Sequence, residues 1–257
     1  MGTAFGWLGS RMARYLAKPI HTHGSGPATR ADRLMASLKA GDVLLVEGHS
    51  RFSTVIKYLT QSTWSHAALY VGDHLAKAGG NPEHCFVEAD VVEGVRSVAI
   101  GEFTGMHTRI CRPVGLNDSD VRQVTTFVIE RLGMQYNLRN VIDLMRYLLP
   151  TPPIPQRFRR RMISLGSGDP TRAICSTLIA QAFQSIKYPI LPVIDSRSRD
   201  APDCPNCREE FLQVRHHSLF VPRDFDVSPY FELVKPSIYL GLDFRTLRWA
   251  DPTSPSI

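Results

Sequence analysis

The chain has 257 residues, 43% of them hydrophobic and 21% charged. That is an ordinary globular composition, with enough length to bury a sizeable core in one large domain. The net charge of +6 and pI near 9.2 suit an anionic partner such as a phospholipid surface. No aromatic RNA-binding pattern and no complete zinc finger supports nucleic acid. No run approaches the ~18 uncharged apolar residues of a spanning helix. The five cysteines, Cys85, Cys111, Cys175, Cys204 and Cys207, are odd in number and irregularly spaced, so no disulfide framework is expected and a reducing, cytoplasmic setting is the simpler reading.

In chain order, residues 1–20 do not read as a secretory signal, because Arg11, Arg14 and Lys18 interrupt any apolar stretch. Gly6 stands where a myristoylation signal needs Ser or Thr. On a helical wheel Phe5, Leu8, Met12 and Tyr15 share one face and the three cations another. That pattern suits a basic amphipathic helix lying peripherally on a membrane or on a partner, or one packed on its own domain. Residues 1–28 therefore read as an amphipathic extension, and residues 29–250 as a single domain.

Residues 29–39 predict a brief helix and Ala40-Gly41-Asp42 a turn. Val43–Glu47 reads as a buried strand, 51–61 as a helix with Phe52, Val55, Ile56 and Leu59 on one face, and Ser65–Gly72 as a second strand. Strands follow at Cys85–Ala89, with a continuation at Val91–Ser97, and at Thr108–Arg112. Asp118 or Ser119 is expected to cap a helix over 120–132 that Gly133 ends. A further amphipathic helix is expected over 138–149, a break at Pro150–Pro155 and a basic run at Arg157–Arg161. Thr171 is placed to cap a helix over 172–186. Residues 192–215 read as an exposed polar insertion, like 138–165, and Phe220–Pro222 and Phe231–Val234 as closing strands.

Cys175 falls in the first turn of the 172–186 helix. Unpaired N–H groups there favour a thiolate and can hold an oxyanion. The plainer reading is a core cysteine. His66 opens an apolar strand, where a ring needs a partner and gains the rigidity of a general base; a core histidine bonded to a carbonyl is the plainer alternative. His49, just after a strand, is the second choice of base. Glu88 interrupts the apolar run Phe86-Val87-Glu88-Ala89. A carboxylate there is costly unless paired, and an imidazole N–H would pair it and fix its tautomer. The alternative is a strand-end Glu in solvent.

Gly41-Asp42, Ser65-His66-Ala67 with Val71-Gly72, Val87-Glu88-Ala89, and Cys175-Ser176 heading a helix together resemble the YiiX/YebB-like branch of the NlpC-type papain-fold superfamily, near the branch of lecithin retinol acyltransferase. Gly133–Asn137 and Phe220–Phe225 resemble its Gly-x-x-Tyr-Asp/Asn and closing Pro-x-Asp elements. Thr177 departs from the glutamate often found two residues after the cysteine. The resemblance implies an α+β, circularly permuted papain-like fold, with an antiparallel sheet or barrel against the cysteine-bearing helix. It implies Cys175 as nucleophile, His66 as base and Glu88 as orienter. Trp64, Ser65, Tyr136 and Ser176 are the candidates for contact with the substrate, although a core tryptophan is the plainer reading of Trp64.

The implied reaction is cysteine-dependent hydrolysis or acyl transfer through a thioester, without a cofactor. The basic extension and the apolar helix over 138–149 favour a lipid acyl ester or amide at an anionic membrane surface. A peptide or peptidoglycan amide is the alternative, and an inert binding module a third. Cys204-Pro-Asn-Cys207 with His216 or His217 is half a zinc pattern, a redox pair or a structural loop, and the loop reading is preferred.

Overall fold

All four side chains of the segment Val43–Val46 are buried, which requires cover on both faces of a strand. The computed structural model describes residues 28–90, 93–135, 174–198 and 208–247. In chain order the elements are α1 (Ala31–Ser37), β1 (Val43–Val46), α2 (Arg51–Thr60), β2 (His66–Tyr70), α3 (His74–Lys77), β3 (Phe86–Asp90), β4 (Gly94–Val98), β5 (Thr108–Pro113) and α4 (Asp118–Ile129). They continue with α5 (Ile174–Ser185), β6 (Val193–Ser198), β7 (Arg208–Gln213), α6 (Pro222–Val227), β8 (Phe231–Val234) and α7 (Pro236–Tyr239).

The main sheet runs β4-β3-β2-β1-β5-β8 and every neighbouring pair is antiparallel. Strand alternation divides its side chains between two apolar layers. Val43, Leu45, Ala67, Leu69, Val87 and Cys111 join the layer that includes Leu178, Ile179 and Phe183 of α5 and Val124 and Val128 of α4. Leu44, Val46, Ala68, Phe86, Ile110 and Val234 join the other, with Leu34 of α1 and Phe103. Helix α5 is buried on most of its circumference, so it is a core helix and not a surface one. Burying a single Phe or Leu side chain is worth about 1.5–3 kcal/mol, and these two layers hold the cysteine helix against the sheet.

Several expectations change at the element ends. Asn117, not Asp118 or Ser119, caps α4: its side-chain oxygen accepts from the N–H groups of Ser119 and Asp120 at 2.8 and 3.0 Å, and Asp120 returns a bond to the Asn117 N–H at 3.1 Å. That reciprocal box starts the helix earlier than its apolar periodicity suggests. The segment after β3 does not prolong it. It reverses into β4, with Glu88 opposite Arg96. Gly94 has φ +79°, and a Cβ there would strike the carbonyl oxygen of Met134. Phe220–Pro222 does not form a strand, because Pro222 opens α6 and the Asp224 carboxylate accepts from the Val221 N–H at 3.0 Å. Part of the insertion expected at 192–215 pairs as the antiparallel β6–β7 ribbon. The expectations for 1–20, 138–165, Thr171, Tyr136 and the Cys204–Cys207 pair fall outside the described residues.

Candidate active site

The sheet register brings His66 and Glu88 within reach of each other. Glu88 lies opposite Ala68, and His66 is two residues from Ala68 on the same side of β2, a diagonal neighbour. Its Nε2 sits 2.7 Å from Glu88 Oε2. The other carboxylate oxygen accepts from Arg96 Nε at 2.9 Å and lies 2.7 Å from Arg96 Nη2. Arg96 reaches further, to Glu93 at 3.1 Å and Glu102 at 3.0 Å. Glu88 is 2% exposed, so both oxygens are satisfied inside the protein, as a buried carboxylate requires.

From the opposite direction, the first turn of α5 presents Cys175, close enough to interact with His66 and with the backbone N–H of Ala67. With Nε2 held by Glu88, Nδ1 is the ring nitrogen left for the sulfur. Ser176 Oγ lies 4.0 Å from the sulfur. The thiol is 5% exposed, and the His66 side chain keeps 25% of its surface open. The imidazole is thus the more open of the two groups.

The charges reinforce one another. Burial alone would raise the Cys175 thiol, but the His66 charge and hydrogen bond, with the Ala67 N–H and Ser176, bring it below the ordinary thiol value. Burial alone would lower His66, but Glu88 and Cys175 hold it well above the ordinary imidazole value. Burial would also raise Glu88, and His66 and Arg96 together outweigh that and keep its carboxyl low. Both shifts run toward a thiolate–imidazolium pair backed by a carboxylate and a guanidinium, the arrangement that makes a cysteine nucleophilic near neutrality.

The other sequence candidates take different places. Trp64 is 2% exposed. Its indole N–H donates to Asp226 at 3.1 Å, and the Arg109 guanidinium lies 5.0 Å from its ring, so the ring serves the core. Ser65 is buried and its hydroxyl accepts from the Gly48 N–H at 2.9 Å. Ser176 is also fully buried, and none of the three offers open surface to a ligand in this conformation. His49 has its Nδ1 buried without a hydrogen-bond partner. His216 bonds Ser218 at 2.8 Å and stacks on His217. No group of three or more His, Cys, Asp or Glu among the described residues could hold a metal ion.

Sequence reasoning did not single out Arg96. The available signal was its position in a strand that folds back on β3, where opposite charges at paired positions attract. Gly133 and Met134, which open the Gly133–Asn137 element, also acquire a place. Gly133 donates to Val95 O at 2.8 Å and Val95 donates to Met134 O at 2.9 Å, which ties the end of α4 to the strand that carries Arg96.

This geometry agrees with what the chain resembles. A family model described as permuted papain-like amidase enzyme, YaeF/YiiX, C92 family, matches residues 37–147. The matched segment carries His66, Glu88 and Arg96 and ends before Cys175. Over that segment the chain is similar to YiiX-like permuted papain-fold amidases, and its mixed helix and antiparallel sheet are consistent with that fold. Among solved structures, the crystal structure of metalloprotein yiiX from Escherichia coli O157:H7 is 14% identical, with a TM-score of 0.43 over 77% of this chain and 97% of that one. No curated protein matches the chain.

Proposed function

We propose that the protein is a cysteine-dependent amidase that works through a thioester, with Cys175 as nucleophile, His66 as general acid and base, Glu88 as the group that orients His66, and Arg96 as the support of Glu88. The observation that carries this reading is the contact of Cys175 with an imidazole held at 2.7 Å by a buried carboxylate. The Cys175 thiolate attacks the amide carbon, and the carbonyl oxygen becomes an oxyanion held by N–H groups of the first turn of α5. The protonated His66 gives its proton to the departing amine as the C–N bond breaks and the thioester forms. His66 then takes a proton from water, the resulting hydroxide attacks the thioester carbon, and the acid leaves while Cys175 regains its thiolate.

The same proposal treats residues 29–250 as one domain that works without a cofactor. The amide reading follows the description of the matching family. A second reading, a lipid acyl ester or amide taken from an anionic membrane surface, rests on the exposed apolar side chains Ile238, Tyr239, Leu240, Leu242 and Phe244 beside Arg245. No helix among the described residues is long and apolar enough to cross a membrane, so contact would be peripheral. Purified protein and its Cys175→Ala variant, incubated with peptide amides and with phospholipid vesicles, decide between these readings. Amide cleavage, with an acyl adduct on Cys175 seen by intact-mass spectrometry, supports the first, and fatty acid release only from vesicles supports the second. Cleavage that persists in Cys175→Ala, or no cleavage of either substrate by the parent, overturns the nucleophile assignment.

A further inference from the structure

The sheet places a second feature beside the candidate active site. Val46 lies opposite His66 on one side and opposite Thr108 on the other. Directly opposed residues share a face, so His66 and Thr108 stand in one row, two strand spacings or about 10 Å apart. Thr108 lines a cleft of about 440 Å³. The cleft is walled by Arg30, Arg33, His107, Arg109 and Lys235, and no Asp or Glu lines it.

Part of this positive charge is already engaged. Arg30 holds Asp32 at 2.9 Å, Arg109 holds Asp226 at 2.7 Å, and His107 Nδ1 contacts Glu47 at 3.1 Å. Among the described residues, no ion pair engages Arg33 or Lys235. Thr108 itself is 9% exposed, and its hydroxyl has no hydrogen-bond partner. A buried hydroxyl without a partner is destabilising unless something satisfies it. Two cations without an ion pair among the described residues and an orphan hydroxyl in one concavity match the needs of an oxygen anion.

We propose that this cleft is an anion-recognition subsite, which holds a carboxylate or phosphate group of the acyl substrate while the reacting carbonyl lies at Cys175. The inference rests on the cysteine-hydrolase reading and adds to it a substrate class: an amide or ester that also carries an anionic oxygen group.

Isothermal titration of the full-length protein with inorganic phosphate at low salt tests the subsite. Saturable binding is expected in the parent and, equally, in Cys175→Ala. Removing both cations in Arg33→Ser/Lys235→Ser should weaken it about tenfold or more, through loss of the two charged contacts. The charge-preserving Arg33→Lys/Lys235→Arg variant should stay within about threefold of the parent, which separates lost charge from lost fold. Absence of saturable phosphate binding to the parent, or equal binding by the double-serine variant, overturns the proposal. Alkylation of Cys175 in the parent by neutral iodoacetamide reads the nucleophile separately. Fast alkylation without phosphate binding removes the subsite and leaves the hydrolase, and slow alkylation with phosphate binding does the reverse.

Discussion

Cys111 and Cys175 are both buried thiols, 0% and 5% exposed, yet their acidities move in opposite directions. Cys111 lies in β5 within an apolar layer. Burial pushes its thiol well above the ordinary value, nearby Asp226 adds to the effect, and Arg109 offsets only part of it. Cys175 suffers the same burial, but the imidazole of His66 contacts it directly and Glu88 keeps that imidazole charged. Burial does not make a cysteine reactive or inert. The cation it touches decides, and that cation persists only because a second shell of charge supports it.

The variants that test this contrast are ordered here from the largest expected effect. Cys175→Ala removes the nucleophile and should lower kcat/KM by about 10⁴-fold or more, as loss of a covalent catalyst does, whereas Cys111→Ala should leave turnover close to that of the parent. His66→Ala should make the two thiols alike. Without its cation, Cys175 keeps only the Ala67 N–H and Ser176 against the burial that raises it, so its alkylation at pH 7 should fall toward the level of Cys111, measured by mass spectrometry of the labelled peptides.

Glu88→Gln keeps the shape and removes the charge behind His66, and its effect should appear in pH dependence. The Glu88 carboxyl is lowered in the folded state, so it contributes stability that is present above its unfolded value and is lost as pH falls through the folded one. His66 is raised, so its contribution is present below the ordinary imidazole value of 6.5 and is lost as pH rises through the folded one. Urea midpoints measured from pH 3 to pH 8 should therefore fall more steeply on the acid side in the parent than in Glu88→Gln. Arg96→Met should give the smallest change, a drop of roughly tenfold in kcat/KM with Cys175 still labelled faster than Cys111, the scale expected when an outer partner of a reacting group is removed.

Much of this was legible in the sequence for a simple reason. His66 and Glu88 interrupt apolar strands, and Cys175 stands at a helix start, so each asks for a partner that a solvent-facing residue would not need. Their order along the chain pointed to the permuted arrangement. Arg96 was not legible, because in Gly94–Val98 it occupies an ordinary polar strand position, and only the β3–β4 register shows that it faces Glu88. Asn117 was missed as a cap because the apolar period of α4 begins after it. Phe220–Pro222 was misread because its apolar residues suit a strand, while the decisive bond comes from the Asp224 side chain after them. The basic cleft was also invisible to local reading, since Arg33, Thr108 and Lys235 meet only through β5 pairing with both β1 and β8.

The most direct test of the account is the pH dependence of Cys175 alkylation by iodoacetamide, followed peptide by peptide with Cys85 and Cys111 as internal references. The account predicts an inflection for Cys175 below the ordinary thiol value of 9.0, with labelling at neutral pH well ahead of the other two. An inflection at or above 9.0, with Cys175 no faster than Cys85, would contradict it.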